Sequence, residues 1–155
     1  MKNTLLALLG FILLADPLAA TAQQSGDFTY SSDGSAITIT GYTGPGGAVT
    51  IPDTIIGLPV TTIGNTAFYD KTSLTNVTIP GSVTNIEGGA FASCTSLVAI
   101  TVDAANAAYS SLDRIVFNKS QTKLILFPPG KDRSYAIPGS VDNMNLVMRQ
   151  FRRLI

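Results

Sequence analysis

The chain has 155 residues, with 10 basic and 10 acidic side chains, one cysteine, no histidine and no tryptophan. That length suits one domain, and one cysteine rules out a disulfide framework. Without histidine there is no Ser-His-Asp or Cys-His arrangement and no imidazole metal ligand.

Residues 1–22 read as a secretory signal peptide. Lys2 precedes an apolar run over residues 5–14, and Ala20-Thr21-Ala22 supplies a small-x-small cleavage site. The run is too short to span a bilayer. A buried N-terminal helix fits less well, because Asp16-Pro17 and the alanines would end it without a partner. Cleavage after Ala22 leaves a chain that begins at Gln23 and is secreted or held at a cell surface. Residues 23–143 are expected to form one repeat domain, and residues 144–155 a degenerate tail.

Residues 28–42, FTYSSDGSAITITGY, predict a β-hairpin turning at Asp33-Gly34, placed to cap the first repeat. Val49-Thr50-Ile51-Pro52 is a partial copy of Val77-Thr78-Ile79-Pro80, and an extra Ile56-Gly57-Leu58-Pro59 leads on to Val60. Then residues 60–82 and 83–105 repeat one pattern, 23 residues apart. Ile63 aligns with Ile86, Ala67-Phe68 with Ala90-Phe91, Ser73-Leu74 with Ser96-Leu97, Val77 with Ile100 and Ile79 with Val102. A fixed period of this length points to a solenoid, in which each unit has one apolar edge and must stack on a neighbour. Val77-x-Ile79 and Ile100-x-Val102 alternate as short strands with those side chains inward. The piece from Ile63 to Phe68 reads as a helical or 3₁₀ turn on the opposite side, with Phe68 and Phe91 plugging the core.

Residues 114–130 predict an inserted β-hairpin turning at Lys119-Ser120-Gln121-Thr122. Residues 136–141 copy residues 78–83, and Val141-Asp142-Asn143-Met144 copies Val83 to Ile86. The register then breaks: Arg149 stands where Phe68 and Phe91 stand in their repeats. Residues 145–155 are either an amphipathic cap or a tail left by truncation of a longer array, and the broken register favours truncation.

The run I-G-x-x-A-F-x-x-C-x-S-L-x-x-I-x-I/V, with strands ending in Ile-Pro, resembles the BspA-type leucine-rich repeats of secreted and surface proteins. Glu87 replaces the glycine in the second copy, and Lys71 stands in the first where the second has Cys94. The resemblance covers roughly residues 28–143. It implies a role in surface adhesion or protein interaction, with a host, matrix or surface protein as partner. The expected fold is an α+β solenoid: short parallel strands, helical or 3₁₀ turns, a capping hairpin and an inserted hairpin.

No catalytic site, metal or cofactor is expected. Cys94 is the one candidate nucleophile, and nothing near it in sequence would lower its pKa, so a buried turn cysteine is the plainer reading. Asp103 and Asp113 have nothing to recommend them as a catalytic pair. Gly44-Pro45-Gly46-Gly47 and Gly88-Gly89 lack phosphate-loop spacing and suit tight turns. Asn76-Val77-Thr78 and Asn118-Lys119-Ser120 spell glycosylation acceptors, a pattern common by chance. Charge is split: Lys71 stands alone against six acids over residues 23–110, while residues 111–155 are basic. Such a split usually marks a solvated face, and neither a nucleic acid nor a membrane span is expected. The binding face is expected on the outward positions of the strands: Thr50, Asn76, Thr78 and Thr101, with Ala99 and Ala136. These are small and uncharged, so recognition elsewhere, at Tyr69, Tyr109 or the basic hairpin, is the competing expectation, and a spacer with no ligand of its own is the alternative function.

Overall fold

The structure, a computed structural model, describes residues 22–132, 134–136, 138–141 and 143–144. All but Ala22 of the leader read over residues 1–22, together with Ile137 and residues 145–155 of the tail, lies outside the described residues. In chain order the strands are β1 (Gln23–Ser25), β2 (Phe28–Ser32), β3 (Ile37–Tyr42), β4 (Gly47–Thr50), β5 (Thr54–Ile55), β6 (Leu58–Ile63), β7 (Leu74–Ile79), β8 (Asn85–Ile86), β9 (Ala99–Val102), β10 (Tyr109–Leu112), β11 (Ile115–Asn118), β12 (Lys123–Leu126) and β13 (Asn143–Met144).

The two sequence copies are two stacked coils with three sides each. On one side β3, β6 and β8 pair in parallel, with Ile63 opposite Ile86. On another, β4, β7 and β9 pair in parallel, with Val49, Val77 and Ile100 in one row. Between them the turn after β6 stacks on the turn after β8: the Phe68 amide donates to the Ala90 carbonyl at 2.8 Å and the Asp70 amide to Ala92 at 3.0 Å. Alternation puts Val77 and Ile79 inward, and a register shift at the start of β7 turns Leu74 inward as well; each is at most 1% exposed. Burying each such side chain contributes about 1.5–3 kcal/mol.

The third side corrects the expected fold class. Among the described residues there is no helix, so the solenoid is all-β with tight turns rather than α+β with helical turns. Two causes are visible. Thr66, Asp70 and Ser93 have φ of 69°, 57° and 62°, which interrupts any right-handed run. The amides of Phe68 and Asp70 are also spent on the next coil, as a ladder would spend them, rather than on a carbonyl four residues back.

The first coil is closed by a three-stranded antiparallel cap, β1-β2-β3. The β2–β3 hairpin turns at Asp33-Gly34 as the sequence predicts. One Asp33 carboxylate oxygen accepts from the Ser35 amide, the Ser35 hydroxyl and the Ala36 amide, each at 2.8 Å. The cap also starts an aromatic column: Tyr42 stacks on Phe68 at 5.3 Å, and Phe68 on Phe91 at 4.9 Å with 14° between the rings. The extra Ile56-Gly57 is a two-residue turn joining β5 to β6, with φ of 49° and 80°, the positive pair a type I′ turn needs.

After β9 the repeat is interrupted by the sheet β10-β11-β12-β13. The hairpin β11–β12 lies where the sequence placed it. β10 is an addition, joined to β11 through Asp113 and Arg114, both at positive φ. Ile115, Val116 and Phe117 are all fully buried because β11 is covered on both faces: Val116 joins the main core, while Ile115 and Phe117 join Leu124 and Val141 in a second one. The chain then returns against the second coil, where the Gly130 amide donates to Leu97 at 2.9 Å. A Cβ on Gly130 would lie 2.4 Å from the Thr95 carbonyl oxygen, so only glycine fits there.

Candidate binding face

The β4-β7-β9 sheet brings the four expected face residues together. Thr50 is opposite Thr78 and Thr78 opposite Thr101, and in the next row Ala48, Asn76 and Ala99 are opposite one another. Rungs in such a ladder are about 4.8 Å apart. Thr50, Asn76 and Thr101 are exposed and Thr78 is half-buried. Ala99 departs from the expectation: it is 5% exposed. The inserted hairpin packs along this edge of β9, where the Ile100 amide donates to the Arg114 carbonyl and the Val102 amide to the Ser111 hydroxyl. Ala136 is exposed but lies outside any strand. The face is therefore a row of hydroxyls beside one carboxamide, without charge. It suits hydrogen bonding to an extended backbone or a polar surface.

The competing sites divide. Tyr69 is 53% exposed on the turn of the first coil. Tyr109 is engaged within the chain: its hydroxyl donates to the Thr84 carbonyl at 3.1 Å and accepts from the Ile86 amide at 3.2 Å. Burial pushes its pKa up, partly offset by the Ile86 amide. Lys119 of the basic hairpin is engaged too, donating to the carbonyls of Ala104 and Asn106. A cavity of about 270 Å³ lies between Ile86, Glu87, Tyr109 and the β12 residues Lys123 and Leu126.

The remaining polar candidates have structural duties. The Cys94 thiol is fully buried, donates to the Phe68 carbonyl at 2.8 Å and has its pKa raised by burial, the reverse of an activated nucleophile. Asp103 accepts from the Ala105 amide, and Asp113 hydrogen-bonds Tyr135, whose pKa is raised first by burial and then by that carboxylate. Asn118 holds the β11–β12 turn through Ser120, Thr122 and Lys123. The Asn76 side chain is exposed. Among the described residues no group of three or more acidic or cysteine side chains is placed to hold a metal ion.

Asn106 is the residue that sequence reading missed. It is fully buried. Its amide nitrogen donates to the carbonyls of Pro80 and Val83, and its oxygen accepts the amides of Ala108 and Tyr109, all at 2.8–2.9 Å. It staples the end of the first coil to the start of the insertion.

Residues 48–135 match the family model for the BspA type leucine-rich repeat region, which is built of 6 copies. Among solved structures, a leucine-rich repeat protein of T. pallidum is 40% identical over 52% of this chain and 38% of its own, with a TM-score of 0.47. A leucine-rich cell surface protein of Faecalibacterium prausnitzii is 33% identical over 56% of this chain and 24% of its own, at 0.51. A leucine-rich repeat protein of Bacteroides capillosus is 23% identical over 82% of this chain and 89% of its own, at 0.50, a likeness of fold alone. The chain thus spans well under two thirds of the first two proteins. No curated protein matches it.

Proposed function

Because the chain belongs to the BspA-type leucine-rich repeat family, we propose that it is an exported, surface-exposed repeat module that docks a protein partner on its threonine face. The observation that carries this reading is the in-register row Thr50, Thr78 and Thr101 beside Asn76. Stacked strands offer outward side chains that vary without disturbing the core. The family, and the cell-surface neighbour at 33% identity, support the location, and among the described residues no helix is long and apolar enough to cross a membrane. The partner is a host, matrix or surface protein. The face holds no aromatic side chain and no arginine, the usual anchors of tight interfaces, so a single module binds weakly and gains by repetition.

The test is capture of extracellular-matrix and cell-surface proteins on the immobilised mature chain, beside Asn76→Arg and Thr78→Arg. Expected is capture by the parent, loss in both variants, and unchanged melting temperatures. Equal capture by all three removes the face from the reading. The uncharged, anchor-free face also favours a second reading, a spacer that holds a neighbouring domain away from the surface. A spacer retains no partner, and its role fails when the array is shortened.

A further inference from the structure

We infer that Gln23 is a modification site: once the leader is removed, its side chain closes on its own α-amine to give a pyroglutamyl N-terminus. This rests on the export reading, with cleavage between Ala22 and Gln23, and deepens it. The structure separates the two adjacent glutamines. Both are exposed in β1. The Gln24 carboxamide is committed, its nitrogen donating to the Gly26 carbonyl at 3.0 Å. The Gln23 carboxamide has no partner among the described residues and is free to turn back along the chain.

The chemistry needs no co-reactant. The α-amine nitrogen attacks the side-chain carbonyl carbon, a lactam C–N bond forms, the bond to the amide nitrogen breaks, and ammonia leaves with a proton taken from the amine. The fold tolerates the product. Ser25 and Phe28 flank a two-residue hairpin loop with Gly26 at φ 56°, and Gln23 is paired with Tyr30. Residues flanking such a loop form a hydrogen-bonded pair and bonded pairs alternate, which makes Gln23–Tyr30 the next bonded pair. The lactam ring carbon takes the place of the hydrogen that pointed at the ladder, so the Gln23 carbonyl stays in the pair with Tyr30 while its donor is lost at a strand end exposed to water, and the terminal positive charge disappears. The outermost strand of the cap then ends in a blocked residue that aminopeptidases do not remove.

The full chain, exported by a secreting bacterial host, is collected from the medium, held at neutral pH, and its N-terminal peptide sequenced by mass spectrometry. Expected is a peptide that begins at residue 23 and is lighter by one ammonia. Gln24→Ala should keep that loss, and Gln23→Ala should abolish it. A peptide that begins at Gln23 with its amine intact overturns the proposal and leaves the export reading standing. A peptide that begins elsewhere overturns both the cleavage point and the proposal. Loss of ammonia that persists in Gln23→Ala overturns the assignment to Gln23.

Discussion

The Tyr109 hydroxyl accepts the Ile86 amide at 3.2 Å and, through its own proton, reaches the Thr84 carbonyl at 3.1 Å. One phenol thus satisfies the two backbone groups flanking Asn85 that a further parallel strand would have taken. The repeat stops adding strands at β8 because a side chain from the insertion occupies the edge.

Tyr109→Phe should therefore cost about 0.5–1.5 kcal/mol, the net worth of a hydrogen bond, because the Thr84 carbonyl is exposed and the Ile86 amide only half-buried, read as a lower urea midpoint with an unchanged slope. Exchange of the Ile86 amide should quicken. The pH dependence has a fixed sign. The folded phenol titrates above its usual 10.0, so its contribution is complete below that value and is lost as pH rises toward the folded pKa. The parent should weaken there and Tyr109→Phe should not share that component.

Phe68 has a ring neighbour on each side, Tyr42 and Phe91. Phe68→Ala should cost about 3–5 kcal/mol and loosen the cap along with the first coil. Phe91→Leu should cost less. The double variant Tyr42→Leu with Phe68→Leu should fall short of the sum of its singles, because the two rings share one contact. Additive losses in calorimetry would break the idea of a continuous column.

Much of this column was written in the sequence. Ala-Phe recurs at one spacing, and equal spacing in a solenoid means vertical stacking. The hairpins at Asp33-Gly34 and at residues 119–122 were legible for a local reason, since their turn residues and flanking alternation lie within a few positions. The turn after Ile63 was not. Its letters fit a helical turn equally well, and the decision rests on where the Phe68 amide goes, which is to a residue 22 positions on. β10 was missed because Asp113-Arg114 is not a usual positive-φ pair, although both residues adopt that conformation. The face rows followed from strand alternation alone, which is why Thr50, Thr78 and Thr101 align. Alternation knows nothing of the insertion packed along β9, and Ala99 was misplaced for that reason.

The Asp33 carboxylate titrates below its ordinary value of 3.8, first through the Ser35 amide, then the Ser35 hydroxyl and the Ala36 amide. A lowered pKa means the stabilisation is present above the unfolded value and disappears as pH falls through the folded one. Asp33→Ala should lower the melting temperature at neutral pH and narrow its difference from the parent in acid. A constant difference across that range would mean the carboxylate charge is not what holds the turn.

The Cys94 thiol should resist alkylation in the native state and react only as the chain unfolds, because it is buried and its pKa is raised. Cys94→Ser keeps a donor to the Phe68 carbonyl and should stay close to the parent, while Cys94→Ala leaves that carbonyl with only the Lys71 amide at 3.4 Å and should lose about 0.5–1.5 kcal/mol. Rapid native labelling, or equal losses in both variants, would contradict this role.

Asn106 offers the sharpest test of how the insertion is tied to the coils, because its carboxamide must both donate and accept. Asn106→Ala removes two donors and two acceptor contacts at once and should cost on the order of 3 kcal/mol, with little dependence on pH. Asn106→Asp keeps the shape and loses the donors. At neutral pH one carboxylate oxygen keeps the Ala108 and Tyr109 amides and Lys119 stays on the residue 106 carbonyl, but the other oxygen is set against the carbonyls of Pro80 and Val83, so the variant should be no better than alanine. Burial and those carbonyls raise the folded pKa of this new acid above about 3.9, the unfolded value. The variant should therefore regain stability as pH falls through the folded pKa, since the protonated acid again donates to one carbonyl. Urea titrations of both variants at neutral and acid pH decide it. If Asn106→Asp is insensitive to acid, the side chain is not the donor to Pro80 and Val83, and the staple lies elsewhere.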